Sequence, residues 1–310
     1  MINEIQKVAI IGAGSKTADT LIRVLTKELD MKFLLFSSQF SVEKAQSPKI
    51  VQYPISATDK KQLKAVLLHE QPAFIINCAA MTNVDGCEDN KQLAWSLNVT
   101  AVETLVQICK ITGSHLIHFS TDYVFDGLNG PYSELDKPNP ISYYGKSKLA
   151  GENVCLPSGI DVTVLRTNVV YSSNPNKGDF VHWVIKMLEK ELPITVVSDQ
   201  YSNPTITDDL AFAVLKVILK SYKGLYHIAG SEYCNRVEFA KKIATIFMLD
   251  EANIHPITTV ELHQKAKRPL KGGLQTLKAQ SEFGIEFLSV ESGLIMMRNQ
   301  LFSLGYIKHK

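Results

Sequence analysis

Apolar residues fall into two rhythms along the first half of the chain. Short unbroken runs occur at Lys7–Gly12, Lys32–Ser37, Ala73–Ala80, His115–Ser120 and Val162–Tyr171. Their brevity and their Val, Ile, Leu and Phe content predict strands buried on both faces. Between them, Ser15–Leu29, Asp59–Glu70, Lys91–Ile111 and Ser142–Val154 repeat at helical spacing. In Lys91–Ile111 the apolar Ala94, Leu97, Ala101, Leu105 and Ile108 line one face. Strands alternating with helices predict an α/β chain with right-handed crossovers: a Rossmann-type, doubly wound parallel sheet.

The rhythm breaks after Tyr171. Ser172-Ser173-Asn174-Pro175-Asn176-Lys177-Gly178 is polar and turn-forming, and it marks the expected boundary between a dinucleotide-binding unit (residues 1–171) and a smaller α/β substrate-binding unit (residues 172–310). Beyond it the pattern predicts helices at Asp179–Lys190, Thr207–Lys220, Asn235–Phe247 and Val290–Phe302, with strands at Ile194–Val197 and Gly224–Ile228. The helix at Thr207–Lys220 is expected to return to the first unit.

Composition narrows the function classes. With 310 residues, 45% of them apolar, there is core material for two units. Thirty-three basic residues against thirty-one acidic ones leave a net charge of +2, too little to attract nucleic acid or an anionic membrane. No apolar run approaches a membrane span, and the polar Met1–Lys7 leads directly into Val-Ala-Ile-Ile, too brief for a signal-peptide core. Cys78, Cys87, Cys109, Cys155 and Cys234 are scattered and odd in number, which points to a reducing, cytoplasmic compartment rather than a disulfide framework or zinc site. A homodimer is compatible with this picture.

Two local patterns carry chemistry. Gly12-Ala13-Gly14-Ser15-Lys16-Thr17-Ala18 follows the first strand and opens the first helix, where a dinucleotide pyrophosphate rests on helix N–H groups. Read as G-x-G-x-x-G, Thr17 takes the third glycine position. Read as G-x-x-G-x-x-G, Ser15 and Ala18 take the second and third. Lys16 is then either a phosphate cation or a solvated side chain. The second pattern is Tyr144-Gly145-Lys146-Ser147-Lys148, which sets a phenol and an ammonium on one helix face. A hydride arriving at a carbonyl carbon leaves an alkoxide that needs a proton, and a nearby ammonium favours the phenolate that results. Ser120-Thr121-Asp122 ends a strand where it can bring a hydroxyl to the same carbonyl.

These residues resemble the extended short-chain dehydrogenases/reductases, and within them the dTDP-4-dehydrorhamnose reductase-like family. The resemblance spans nearly the whole chain. Its main blocks are Asn77 through Asp89, Ser120 through Gly127 and Tyr144 through Glu152, with later matches at Asp199 through Thr205, Leu225-Tyr226-His227 and Lys267-Arg268-Pro269. It implies a catalytic triad of Thr121, Tyr144 and Lys148, with NADP or NAD as cofactor. Ala79, Ala80 and Thr82 would line that cofactor, together with the turn residues Gly12, Gly14, Ser15, Lys16 and Thr17. Val84, Asp122 and Tyr123 would face the sugar, and Arg268 would approach the nucleotide end, where a guanidinium fork suits a diphosphate. Three positions depart from the pattern. The glycine turn is altered at Ser15 and Ala18, Ser56 stands where an adenine-side Asp is usual, and Val169 stands where a tryptophan stacks on the sugar.

The reading that follows is a reductase of a nucleotide-linked 4-keto sugar. Two alternatives stand beside it. One is a nucleotide-sugar epimerase or dehydratase, disfavoured because Tyr123 occupies the place of a dehydratase Glu. The other is a non-catalytic, NADP-binding regulatory subunit similar to the methionine adenosyltransferase β-subunit. Asp85, Glu88 and Asp89 read as the acidic start of a helix rather than a metal site, His115 and His118 as core or edge histidines rather than ligands, and Trp95 and Trp183 as packing residues.

Overall fold

The computed structural model describes residues 6–39 and 47–307, so the first five residues of the polar N-terminal stretch lie outside the described residues. The strands are β1 (Lys7–Ile11), β2 (Lys32–Phe36), β3 (Ile50–Tyr53), β4 (Phe74–Asn77), β5 (His115–Thr121) and β6 (Val162–Thr167). They continue as β7 (Val170–Tyr171), β8 (Ile194–Val197), β9 (Tyr201–Ser202), β10 (Thr205–Ile206), β11 (Gly224–His227), β12 (Cys234–Asn235) and β13 (Ile254–Ile257). The α-helices are α1 (Lys16–Glu28), α2 (Lys60–Glu70), α3 (Val84–Asp89), α4 (Lys91–Trp95), α5 (Ala101–Thr112) and α6 (Tyr143–Cys155). Then come α7 (Phe180–Leu188), α8 (Thr207–Lys220), α9 (Arg236–Phe247), α10 (Leu277–Phe283) and α11 (Val290–Ser303).

Seven strands form one parallel sheet in the order β11-β6-β5-β4-β1-β2-β3. Alternate side chains divide between its two faces. Val8, Ile10, Phe33 and Leu35 meet α1, α8 and α10 on one side. Ala9, Ile11, Leu34 and Ile75 meet α2 and α5 on the other. A fully buried leucine such as Leu21 of α1 contributes roughly 1.5–3 kcal/mol here. A separate core joins Tyr171 to α7, β8, α9 and α11. The chain passes between these cores more than once: α8 lies against α1, with Thr20 and Thr207 hydroxyls 2.8 Å apart, and β11 completes the main sheet beside β6.

The structure corrects several expected elements. The run Val162–Tyr171 is two strands, because Val169 sits at φ +43°, outside the extended region. The helix expected at Lys91–Ile111 is interrupted by a π turn at Ser96–Thr100. There the Asn98 carbonyl lies so near Gly151 of α6 that a Cβ would stand 2.5 Å from it. Asp85, Glu88 and Asp89 belong to the separate helix α3, and each is engaged as an anchor: Asp85 by Arg268, Glu88 by the Tyr143 amide, Asp89 by Lys265. Trp95 and Trp183 are 44% and 39% exposed rather than packed away. Strands β3, β9, β10, β12 and β13 and helices α3 and α10 are additional to the expected elements, while β8 lies at the expected Ile194–Val197. No helix among the described residues is long and apolar enough to cross a membrane.

Candidate active site

A cavity of about 480 Å³ opens at the carboxyl ends of β1, β4, β5 and β6. The strand order reverses between β4 and β1, the position where open parallel sheets form a crevice. Its wall includes Ser15, Lys16 and Thr17 from the glycine turn, Ala79, Ala80, Thr82 and Val84 after β4, and Thr121, Asp122 and Tyr123 after β5. Tyr144, Lys148 and Val169 complete the set of sequence-predicted residues that the fold brings together.

The glycine turn has a specific steric cause. Gly12 has φ +77°, and a Cβ on it would stand 2.6 Å from the Ala79 amide nitrogen, so the loop after β4 closes against bare backbone. Ser15 has a helical role: its hydroxyl accepts from the Ala18 amide at 3.2 Å and caps α1. Lys16 lines the cavity and is tied to the loop opposite. Its ammonium donates to the Gly178 carbonyl at 3.1 Å and lies 3.7 Å from Asp179, while burial lowers its pKa. Together with Asn174, which donates to Asp19 at 2.7 Å, this ties the polar 172–179 loop to the first turn of α1.

Helix α6 presents Tyr144 and Lys148 from one face, and three contacts fix its position. The Ser142 hydroxyl caps its start, and the Tyr143 amide donates to Glu88 at 2.7 Å. Glu152 receives the Arg166 guanidinium through two contacts of 2.8 and 2.6 Å, both side chains being almost wholly buried. Burial raises the Tyr144 pKa above the ordinary phenol value, against an opposing hydrogen bond from Thr121. The phenol is therefore protonated at neutral pH. Lys148 donates to the Phe119 carbonyl at 2.6 Å, and burial lowers its pKa to about 8 in spite of Glu152. Thr121 is the group that opposes the rise at Tyr144.

Other expected residues are engaged within the protein. Asp122 lines the cavity, but its carboxylate accepts from Asn168 at 3.2 Å, from the Gly273 amide at 3.3 Å and from Thr121 at 3.3 Å. Arg268 is outside the cavity lining; its guanidinium forms a bidentate pair with Asp85 at 2.9 and 2.8 Å. Ser56 is also outside the lining and bonds Thr58 at 2.9 Å in the exposed turn before α2. The cavity also takes in Ser120 of the expected Ser120-Thr121-Asp122 strand end and adds residues not assigned a role from sequence: Asn77, Cys78, Phe119, Thr167, Asn168, Val170, Lys177 and Arg236. Polar Asn77 and Thr167 end buried apolar strands, which is the signal that could have marked them. Arg236, set in the first turn of a helix, opposes the dipole there and could have been noticed for that reason.

The residues fit a dinucleotide. The first turn of α1, whose Ser15, Lys16 and Thr17 lie in the wall, suits a pyrophosphate, and the buried hydroxyls of Ser120 and Thr167, both in the wall, have no partner within the protein. No group of His, Cys, Asp and Glu that could hold a metal occurs among the described residues. His115 and His118 are buried and neutral, His115 bonding Thr163 at 2.7 Å and His118 bonding Asn77 at 3.1 Å.

Fold and cavity together define an extended short-chain dehydrogenase/reductase architecture. The RmlD substrate-binding domain family matches residues 6–302, and the chain belongs to that family. It is 34% identical over 265 residues to the spore coat polysaccharide biosynthesis protein SpsK of Bacillus subtilis, covering 85% of this chain and 87% of that one. It is 31% identical over 274 residues to the dTDP-4-dehydrorhamnose reductase of Mycobacterium tuberculosis, covering 86% and 84%. The dTDP-4-dehydrorhamnose reductase of Bacillus anthracis, solved in complex with NADP, superposes with a TM-score of 0.85 at 29% identity over 96% of this chain and all of that one.

Proposed function

We propose that the protein is an NAD(P)H-dependent reductase of a nucleotide-linked 4-keto sugar, of the dTDP-4-dehydrorhamnose reductase kind. The observation that carries this reading is the phenol of Tyr144, kept protonated by burial, at the wall of the cavity beside Thr121 and Lys148. The nicotinamide, when bound, supplies the hydride. In the proposed mechanism Tyr144 gives its proton to the carbonyl oxygen as negative charge develops there, and Thr121 hydrogen-bonds the same oxygen. The ammonium of Lys148 stabilises the phenolate left behind and holds the ribose. Residues Gly12, Gly14, Ser15 and Thr17 would cradle the pyrophosphate, and Ala79, Ala80 and Thr82 would lie along the cofactor. Val84, Asp122, Tyr123 and Val169 would border the sugar, with Asp122 acting chiefly by fixing Asn168 and Gly273.

The division of labour is part of the proposal: the seven-stranded unit holds the cofactor, and the core of α7, α9 and α11 holds the substrate. So is a cytoplasmic setting, supported by five cysteines that are scattered along the chain and odd in number. A homodimer is supported by apolar side chains left exposed at Leu93, Trp95 and Ile111, and sedimentation velocity decides it. The functional test is oxidation of NADPH in the presence of dTDP-, UDP-, GDP- and CDP-linked 4-keto sugars. Turnover with at least one of them supports the reading. A protein that binds NADPH and reduces none would be the regulatory alternative instead.

A further inference from the structure

Arg236 opens α9, and its side chain forms part of the cavity wall along with Asp122, Tyr123, Asn168 and Val169. It makes no hydrogen bond or ion pair with any described residue; its close partner is the Phe180 ring, 5.1 Å from the guanidinium carbon. The other cations around the site are committed. Lys148 serves the Phe119 carbonyl, Lys16 serves Gly178 and Asp179, and Arg268 is paired with Asp85. Lys177 also lines the cavity, but from an exposed position in the 172–179 loop. Asp122, which shares the cavity wall with Arg236, is occupied by Asn168, Gly273 and Thr121.

The guanidinium is also held in place. Asn235 and Glu238 form a reciprocal capping box that fixes where α9 begins. Phe180 packs on Phe239 at 5.5 Å within the second core, so the ring beneath the guanidinium is rigid. A cation at a helix N-terminus is opposed by the helix dipole, and both become favourable once an anion arrives. Val169 lines the same cavity. Tyr171 is buried in the second core with its hydroxyl against Gly293, and neither it nor Trp183 lines the cavity.

We propose that Arg236 is a specificity residue that receives a two-oxygen anion of the substrate, a carboxylate on the sugar or a phosphate of the nucleotide, inside the compartment of Tyr144. The planar fork matches such a group through two parallel N–H donors. This assignment rests on the nucleotide-sugar reading above.

The test is calorimetric titration of the NADP⁺-loaded protein with dTDP-glucose, UDP-glucose and UDP-glucuronate, the last two differing in the sugar carboxylate. The Arg236→Gln variant is expected to lose about tenfold or more in affinity, with Arg236→Lys intermediate, while NADP⁺ affinity and the melting midpoint stay unchanged. A loss confined to UDP-glucuronate assigns the sugar carboxylate as the partner; an equal loss for every ligand assigns the phosphate. Should the Gln variant unfold, Arg236→Lys carries the comparison, with an expected loss of about threefold. Wild-type affinity for every ligand in a folded variant overturns the assignment. If the wild-type protein binds no nucleotide sugar at all, the keto-sugar reading fails, and this assignment fails with it.

Discussion

Tyr144, Lys148 and Val169 show how single residues set the chemistry. Burial holds the Tyr144 proton in place, which suits a residue that must give one up rather than take one. Replacing it by Phe keeps the ring, and turnover is expected to fall by roughly 10²–10⁴-fold with the fold intact. Near-normal turnover in a folded Tyr144→Phe protein contradicts the assignment. Lys148 gives a pH signature. Its pKa of about 8 predicts that kcat/KM is level near neutrality and falls as pH rises through about 8, whereas a profile flat across this region would remove Lys148 from the mechanism. The stability linkage has the opposite sense. The unfolded chain, with a lysine pKa near 10.5, binds more protons than the folded one between about 8 and 10.5, so the lysine's contribution to stability rises with pH across that window. Lys148→Met is therefore expected to abolish most activity without lowering the melting midpoint at neutral pH. Val169 is a β-branched residue at φ +43°, a conformation costing of order 1–3 kcal/mol. Strain of this kind in the cavity wall is invisible in the sequence, where Val169 reads as the middle of a strand.

Elements explain why α6 carries the reacting groups so reliably. The buried pair Glu152–Arg166 ties it to β6, Arg166 in turn lies 5.0 Å from the Phe125 ring, and the Ser142 and Glu88 contacts fix its first turn. Removing one partner leaves a buried charge, so Glu152→Gln is expected to destabilise by roughly 3–5 kcal/mol in chemical denaturation. A change below about 1 kcal/mol would show that the pair does not anchor the helix. The helix itself was legible: Ser142, Tyr144 and Lys148 announce it through cap and spacing. So were the strands of the first half, whose apolar runs are long relative to their turns. The π turn at Ser96–Thr100 was not, because its residues continue the helical apolar spacing and the deviation arises from Asn98 meeting Gly151 of another helix. β3 escaped because its half-buried Ile50-Val51-Gln52-Tyr53 pairs on one side only, at the sheet edge.

For the whole molecule, the site lies where two cores meet, and only half of that meeting is local in sequence. The glycine turn and α6 come from continuous motifs. Arg236, Lys177 and the residues around Gly273 reach the site through long-range packing, which no spacing rule encodes. Arg268 illustrates the converse: its motif is local, but its guanidinium is directed to Asp85. Cofactor choice follows from the end of β2, where Phe36-Ser37-Ser38-Gln39 offers no carboxylate to repel a 2′-phosphate. NADPH is expected to bind at least as tightly as NADH in fluorescence titrations, and a strong NADH preference would contradict this. The most direct measurement of the central claim follows NADPH absorbance on addition of each nucleotide-linked 4-keto sugar, with the sugar product identified by mass. The account predicts that one NADPH is consumed per keto group reduced, and that the Tyr144→Phe protein binds NADPH but consumes almost none. NADPH bound normally and left unoxidised by every keto sugar would contradict it.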